Sequence, residues 1–201
     1  MSSEYKLFVW DGVNKSGKGT VIKSVANWAE TQGHPVTTVR EPGGTPVGEQ
    51  IREILLSDTE RSPVTDVLLF NAARAATVEK IAQLLVFSHV FADRSYLASF
   101  AFQVHGDGMP EAPVRDICRF ALGDKYKPAA FFLLDIDYET YLTRLKSDDP
   151  NDYFERDRAH FERVREGFLL EARKIGAFII DATVPEEELQ QGVITVIEEM
   201  L

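Results

Sequence analysis

Hydrophobic positions along the chain follow two alternating patterns. Short runs rich in apolar or β-branched residues alternate with segments in which apolar residues recur every three or four positions. The first pattern is typical of strands, and the second is typical of helices with one buried face. The sequence predicts strands over residues 7–12, 35–40, 87–92, 129–135 and 177–181, and helices over residues 20–32, 48–56, 63–85, 96–103, 113–122, 138–145, 154–174 and 185–200.

Five strands separated by helices predict right-handed parallel units, and hence an open α/β sheet with helices on both faces. A chain of 201 residues, of which 44% are hydrophobic, is long enough to bury one sizeable core. We therefore expect a single domain over residues 1–201. A polar tract from Lys146 to Asp152 interrupts the helical pattern, and it predicts a mobile lid at about residues 146–154.

The charge balance limits the expected partners. The formal net charge is −10, which argues against nucleic acids and anionic membranes. The one cysteine, Cys118, lies in an apolar periodic run, so we expect a buried free thiol. The sequence contains no signal-like segment and no run of about 18 apolar residues, and these features predict a cytoplasmic location.

A glycine-bounded loop follows the first predicted strand. Gly12 and Gly17 frame this loop, Lys18 follows directly, and a helical pattern begins at Thr20. In such a loop, backbone N–H groups surround phosphate oxygens, and the helix N-terminus adds partial positive charge. Lys18 is expected to reach the β- and γ-phosphates, and the Thr20 hydroxyl to contact magnesium. The predicted nucleotide-binding residues are Gly12, Val13, Asn14, Lys15, Ser16, Gly17, Lys18, Gly19 and Thr20.

Charged residues collect where predicted strands end. Asp11 and Asp93 each close a strand, and Arg94 follows directly. Ligands of open parallel sheets bind beyond the carboxyl ends of the strands. The two carboxylates are candidate magnesium ligands, directly or through water, and an ion pair of Asp93 with Arg94 is the structural alternative. Phosphoryl transfer also needs positive charge, for which the candidates are Lys15, Lys18, Arg40, Arg52, Arg74 and Arg94.

Several longer runs resemble one known family. Residues 41–56, which begin Glu-Pro-Gly-Gly-Thr, look like the signature loop of thymidylate kinases of the bacterial type. Further matches occur in the same order over nearly the whole chain, at residues 68–75, 93–94, 99–103, 119–123, 134–137, 152–155 and 162–168.

This resemblance implies transfer of the γ-phosphoryl group of ATP to dTMP, giving dTDP and ADP, with magnesium. It also implies a P-loop fold with five parallel strands, and a homodimer. Lys18 and its loop match the ATP site, and Arg94 matches the residue that bridges the two phosphates. Phe70 matches the residue that stacks on thymine, and Arg74 the one that contacts its carbonyl edge. The positions that match the acceptor site are Glu41, Arg52, Phe70, Arg74, Arg94, Ser99, Phe102 and Gln103.

Departures from the family pattern leave alternatives open. Leu97 and Ala98 replace commoner polar residues, and Phe102 stands where the family usually has a tyrosine. Asn14 stands where the family usually has an acid, Ser95 where it has an aromatic residue or histidine, and residues 152–155 lack an arginine. Lys15 is expected to compensate by acting on the transferred phosphoryl group. The alternatives are a kinase for dUMP or a modified thymine-like deoxynucleotide, and a nucleotide-binding regulator without turnover. Second candidates for the missing basic residue are Arg144, Lys146, Arg156 and Arg158.

Overall fold

The computed structural model of the protein describes residues 5–145 and 157–201. Its strands form one sheet in which every pairing is parallel. The predicted open α/β fold is confirmed. The strands are β1 (Leu7–Asp11), β2 (Val36–Arg40), β3 (His89–Asp93), β4 (Ala130–Asp135) and β5 (Phe178–Asp181), in the order β2-β3-β1-β4-β5.

The helices lie close to the predicted segments. The second and third helices begin at Pro46 and Pro63. A backbone N–H at the first position of a helix has no acceptor within the helix, so proline loses no hydrogen bond there. The predicted lid at about residues 146–154 lies outside the described residues. The helices are α1 (Lys18–Thr31), α2 (Pro46–Leu56), α3 (Pro63–Leu84), α4 (Tyr96–Ser99), α5 (Glu111–Leu122), α6 (Tyr138–Arg144), α7 (Arg158–Ile175) and α8 (Glu186–Glu198).

Alternate residues of the central strand β1 serve two cores. Phe8 and Trp10 belong to a cluster that includes residues of α1, α7 and α8. Leu7 and Val9 belong to a second cluster, which contains Ile81 of α3. Both faces of the strand are therefore buried, and the loop that follows it is held between the two helical layers.

Two differences from the predicted segments reflect local backbone hydrogen bonding. The segment from residue 96 is a short α-helix, followed by a π-helix over Phe100–Gly106. The third strand begins at His89 rather than at residue 87, because the N–H groups of Phe87 and Ser88 bond the Leu84 carbonyl and extend the end of α3. Short-range periodicity does not distinguish these hydrogen-bonding patterns.

Cys118 is a buried free thiol, as predicted. Over the described parts of the chain, no helix is both long and apolar enough to cross a membrane. The cytoplasmic location stays a prediction.

Candidate active site

Lys18 is buried beneath the loop that joins β1 to α1. Its ammonium group donates hydrogen bonds to the carbonyl oxygens of Gly12 and Val13 at 2.9 and 2.8 Å. It also donates to the Ser16 hydroxyl at 3.2 Å. The loop thus holds a positive charge at its centre. The oxygens of a polyphosphate can replace the carbonyl and hydroxyl oxygens as acceptors of the Lys18 ammonium.

Residues with positive φ give this loop its shape. Gly12 and Gly17 have φ of 143° and 93°. A β-carbon on Gly12 would lie 2.4 Å from the carbonyl oxygen of Leu134 on β4, so this position requires glycine. Lys15 also has a positive φ, of 62°, which costs a residue with a side chain about 1 kcal/mol or more. The turn at Lys15 therefore has to be held by its neighbours.

Arg94 connects the end of β3 to the first loop. Its backbone N–H bonds the Trp10 carbonyl oxygen at 2.8 Å, and its φ is 75°. Its guanidinium donates to the Gly12 carbonyl oxygen at 3.0 Å and to the amide oxygen of Asn14. The structure therefore holds this positive charge directly beside the loop.

A cavity of about 170 Å³ adjoins the Arg94 guanidinium. It combines aromatic rings with two guanidinium groups, as a site for a phosphorylated aromatic base requires. The predicted acceptor residues that line it are Glu41, Arg52, Phe70, Arg94, Ser99, Phe102 and Gln103, and the others are Asn14, Pro42, Leu55, Leu56 and Ala98.

Arg74, the remaining predicted acceptor residue, lies beneath this cavity and is 2% exposed. Its Nε donates to the Glu41 carboxylate at 2.9 Å. Its Nη1 donates to Asn71 at 2.7 Å and to the Ser99 hydroxyl at 3.2 Å, and Nη2 donates to the Ser95 carbonyl at 3.1 Å. Burial raises the pKa of Glu41, and the Arg74 guanidinium opposes that rise. Arg74 thus orients two lining residues from below.

The predicted magnesium residues Asp93 and Thr20 line different cavities. Asp93 lines one of about 600 Å³ together with Gly19, whereas Thr20 lines one of about 260 Å³ together with Lys15. Within residues 5–145 and 157–201, Asp93 Oδ1 is buried and has no hydrogen-bond partner. A carboxylate oxygen in this situation is suited to a cation or to one of its water ligands.

Comparison with known proteins decides the family. A sequence model described as thymidylate kinase matches residues 10–193. The chain belongs to the thymidylate kinase family. The thymidylate kinase of Idiomarina loihiensis is 32% identical over 202 residues, which cover 98% of each chain. That of Neisseria meningitidis serogroup B is 37% identical over 163 residues, 79% of each chain.

A solved structure supports the fold independently. Thymidylate kinase from Ehrlichia chaffeensis superposes with a TM-score of 0.77, over 96% of this chain and 98% of its own. Its sequence identity is 23%, so this likeness concerns the fold alone.

Asp11 has a contact that the thymidylate kinase resemblance did not predict. It is fully buried, and its Oδ2 accepts a hydrogen bond from the Ser95 hydroxyl, which also accepts the N–H of Leu97. Burial raises the pKa of Asp11 to about 6, while the Ser95 hydrogen bond and the charges of Arg94 and Lys18 oppose that rise. Asp11 thus ties the end of β1 to the start of α4.

Sequence reasoning did not predict the contacts of Ser95 and Asn71 with Asp11 and Arg74. Ser95 was a departure from the thymidylate kinase pattern, and no local signal marks a polar residue that will pair with others distant in the chain. Arg158 forms an exposed ion pair with Glu139 at 2.8 Å. The predictions for Lys146, Arg156 and residues 152–155 lie outside the described residues.

Proposed function

We infer that this chain transfers the γ-phosphoryl group of ATP to dTMP and releases dTDP and ADP, which is the reaction of its family. One observation carries the inference at the level of residues. Arg94 donates a hydrogen bond to Gly12 in the loop over residues 12–17, the proposed phosphate loop. It also lines the 170 Å³ cavity beside Phe70, the proposed acceptor cavity. Phosphoryl transfer requires positive charge where donor and acceptor phosphates meet, and Arg94 adjoins both sites.

On the donor side, we propose that residues 12–20 hold the phosphates of ATP. Lys18 exchanges its loop acceptors for β- and γ-phosphate oxygens, and Lys15 neutralises charge on the transferred group. The cavity beside Lys15 is also lined by Val184 and Leu189, whose apolar surfaces suit a purine base.

We propose that magnesium binds beside Asp93. Mg²⁺ usually keeps several water ligands and is held by one or two carboxylates and substrate phosphates, so it needs no complete protein cage. The buried, unpartnered Oδ1 of Asp93 fits this arrangement. When bound, the ion supplies charge neutralisation on the phosphates. Contacts of the ion with Thr20 and Asp11 remain predictions.

On the acceptor side, we propose that the base of dTMP stacks on Phe70 while Arg52 and Arg94 bind its phosphate. Within the described part of the chain, Gln103 Oε1 is buried and has no hydrogen-bond partner. It therefore suits a ligand donor such as the N3–H of thymine, which cytosine lacks. Arg74 supports the base end of the cavity from below, and its direct contact with a base carbonyl remains a prediction.

An acceptor panel tests the proposed function. ADP release is measured with ATP and magnesium on dTMP, dUMP, dCMP and dGMP, with Lys18→Ala as the blank. We expect turnover with dTMP, less with dUMP, and only background with dCMP and dGMP. A preference for dUMP would support the alternative acceptor, and a modified thymine-like nucleotide is tested by adding it to the same panel. ATP binding without ADP release from any acceptor would support a nucleotide-binding regulator.

We also propose a homodimer, formed through an exposed apolar stripe on α3. Val64 and Leu68 are 57% and 52% exposed, and the exposed Ala72 and Ala75 continue the same helix face. Phe120 of α5 is 91% exposed and lines a groove with Ala75. Apolar surface of this extent on neighbouring helices is typical of subunit contacts.

Sedimentation velocity tests the dimer. We expect wild-type protein to sediment at about 45 kDa, twice the 22.6 kDa of one chain. Leu68→Glu is expected to yield monomers, because a charge in an apolar contact is costly. The control is Phe87→Glu, which places the same charge on another exposed apolar residue, just before β3 and outside α3 and α5. A wild-type monomer, or an intact Leu68→Glu dimer, would contradict this interface.

A further inference from the structure

Arg144, the last residue of α6, joins three parts of the chain. Its Nη1 donates to the carbonyl oxygen of Lys15 at 3.1 Å, and its Nη2 donates to the carbonyl oxygen of Ala182 at 2.7 Å. Lys15 lies in the phosphate loop, and Ala182 directly follows β5. The guanidinium therefore spans from the loop to the segment that leads into α8.

Arg144 bonds the carbonyl oxygen of Lys15, a residue whose backbone conformation is unfavourable. Lys15 has a φ of 62°, a left-handed conformation that is costly for a residue with a β-carbon. A charge-assisted hydrogen bond contributes about as much as this conformation costs. The Arg144 bond is thus strong enough to hold the turn.

The planar guanidinium of Arg144 serves both carbonyls at once, with a different nitrogen for each. The two nitrogen atoms of the Arg144 guanidinium are fixed relative to each other, and each meets a different acceptor. A lysine at this position keeps the charge, but its donors share one nitrogen, so it cannot reproduce the two fixed nitrogen positions from which Arg144 reaches the two carbonyls. Charge and geometry can therefore be separated by experiment.

We propose that Arg144 is a positioning residue for Lys15. It fixes the Lys15 backbone against the segment after β5, and it thereby aims the Lys15 ammonium at the transferred phosphoryl group. This inference rests on the proposed role of Lys15. Arg144 also lines the cavity beside Lys15, so direct contact with ATP is the competing role.

A double-mutant cycle separates these two roles. Steady-state kinetics are measured for wild type, Lys15→Ala, Arg144→Lys and the double variant. We expect Arg144→Lys to lower kcat about 10- to 100-fold, as misplacement of a catalytic group does, with KM for dTMP changed less than about twofold. In the Lys15→Ala background, the same substitution is expected to lower kcat by less than about twofold.

The outcomes distinguish the two proposals. If Lys15→Ala lowers kcat but the two effects multiply, Arg144 acts without Lys15, and the positioning role is overturned. A rise in KM for ATP at unchanged kcat would also overturn it, in favour of direct ATP contact. If Lys15→Ala leaves kcat unchanged, the proposed role of Lys15 fails, and the inference on Arg144 fails with it.

A spectroscopic readout tests the contact without activity. The Lys15 carbonyl belongs to the peptide group of the Ser16 amide, so loss of the Arg144 bond is expected to shift the Ser16 N–H resonance of the ligand-free protein. The matched control is Arg173→Lys, an exposed arginine at the end of α7, which should change neither that resonance nor kcat. An unshifted Ser16 resonance in folded Arg144→Lys would overturn the inference.

Discussion

At the scale of single residues, the buried carboxyl of Asp11 has a direct energetic consequence. Burial raises its pKa from 3.8 to about 6 in the folded protein. Between about pH 4 and pH 6 the folded state therefore binds more protons at this group than the unfolded state does. The contribution of Asp11 to the free energy of unfolding falls as pH rises through this window, and it stays low above pH 6.

Asp11→Asn is therefore expected to gain stability relative to wild type as pH rises. The difference in unfolding free energy should grow by roughly 2 to 3 kcal/mol between pH 4 and pH 7, because asparagine cannot ionise. Urea denaturation at both pH values measures this change. The control is Asp124→Asn, at an exposed aspartate. A difference between Asp11→Asn and wild type that does not vary with pH would contradict this account of the site.

Phe70→Ala tests the proposed ring stacking. Stacking of a base on an aromatic side chain is worth roughly 1 to 3 kcal/mol, so KM for dTMP should rise about 5- to 150-fold. KM for ATP should stay within about twofold, because Phe70 lines the acceptor cavity. The control is Phe87→Ala, which removes an exposed ring elsewhere. An unchanged KM for dTMP would place the base away from Phe70.

At the residue level, the family motif indicated positions that helical periodicity does not mark. Phe70 looks like a core residue by helical periodicity, and only the family motif indicates the cavity that it lines. Arg74 was assigned to the same site, but its position beneath the cavity depends on its hydrogen bond to Glu41, which is 33 positions away in sequence. Ser95 departs from the motif, and its bond to Asp11 across 84 positions has no local signature.

At the scale of elements, the π-helix over Phe100–Gly106 packs closely against α7. A β-carbon on Gly106 would lie 2.8 Å from Cγ2 of Val164 and 2.9 Å from Nε2 of His160. The same π-helix carries Phe102 and Gln103 to the cavity beside Arg94. The close approach at Gly106 therefore fixes the distance between α7 and two lining residues.

Gly106→Ala is expected to lower stability by about 1 to 3 kcal/mol through overpacking, and to raise KM for dTMP. Gly192→Ala on α8 is the matched control, because its β-carbon would meet no atom within 4 Å. There, alanine should stabilise the helix by about 0.5 to 1 kcal/mol. Thermal unfolding and initial rates measure both variants. Equal effects on stability at the two positions would contradict the packing argument.

Sequence patterns located most elements because apolar periodicity extends over many residues. They could not locate the change from α-helix to π-helix at Phe100, since the same apolar residues fit either pattern. The early start predicted for β3 has a similar cause. The backbone bonds of Phe87 and Ser88 to Leu84 depend on where the chain must enter β3.

At the scale of the whole molecule, strand order creates the site. The order β2-β3-β1-β4-β5 places β1 between β3 and β4. The phosphate loop after β1 therefore lies beside Arg94, which follows β3. Alternation of strands and helices predicted the parallel sheet, whereas the neighbour of each strand depends on contacts between distant segments.

The most direct test of the account is ³¹P NMR of one reaction mixture that contains the protein, ATP, magnesium and dTMP. We predict that the phosphorus signals of dTDP and ADP grow at equal rates, and that neither grows with Lys18→Ala. Equal growth means that the γ-phosphoryl group passes between the two sites that Arg94 adjoins. Growth of the ADP and inorganic phosphate signals without a dTDP signal would contradict the account. It would mean that the γ-phosphoryl group is transferred to water rather than to dTMP.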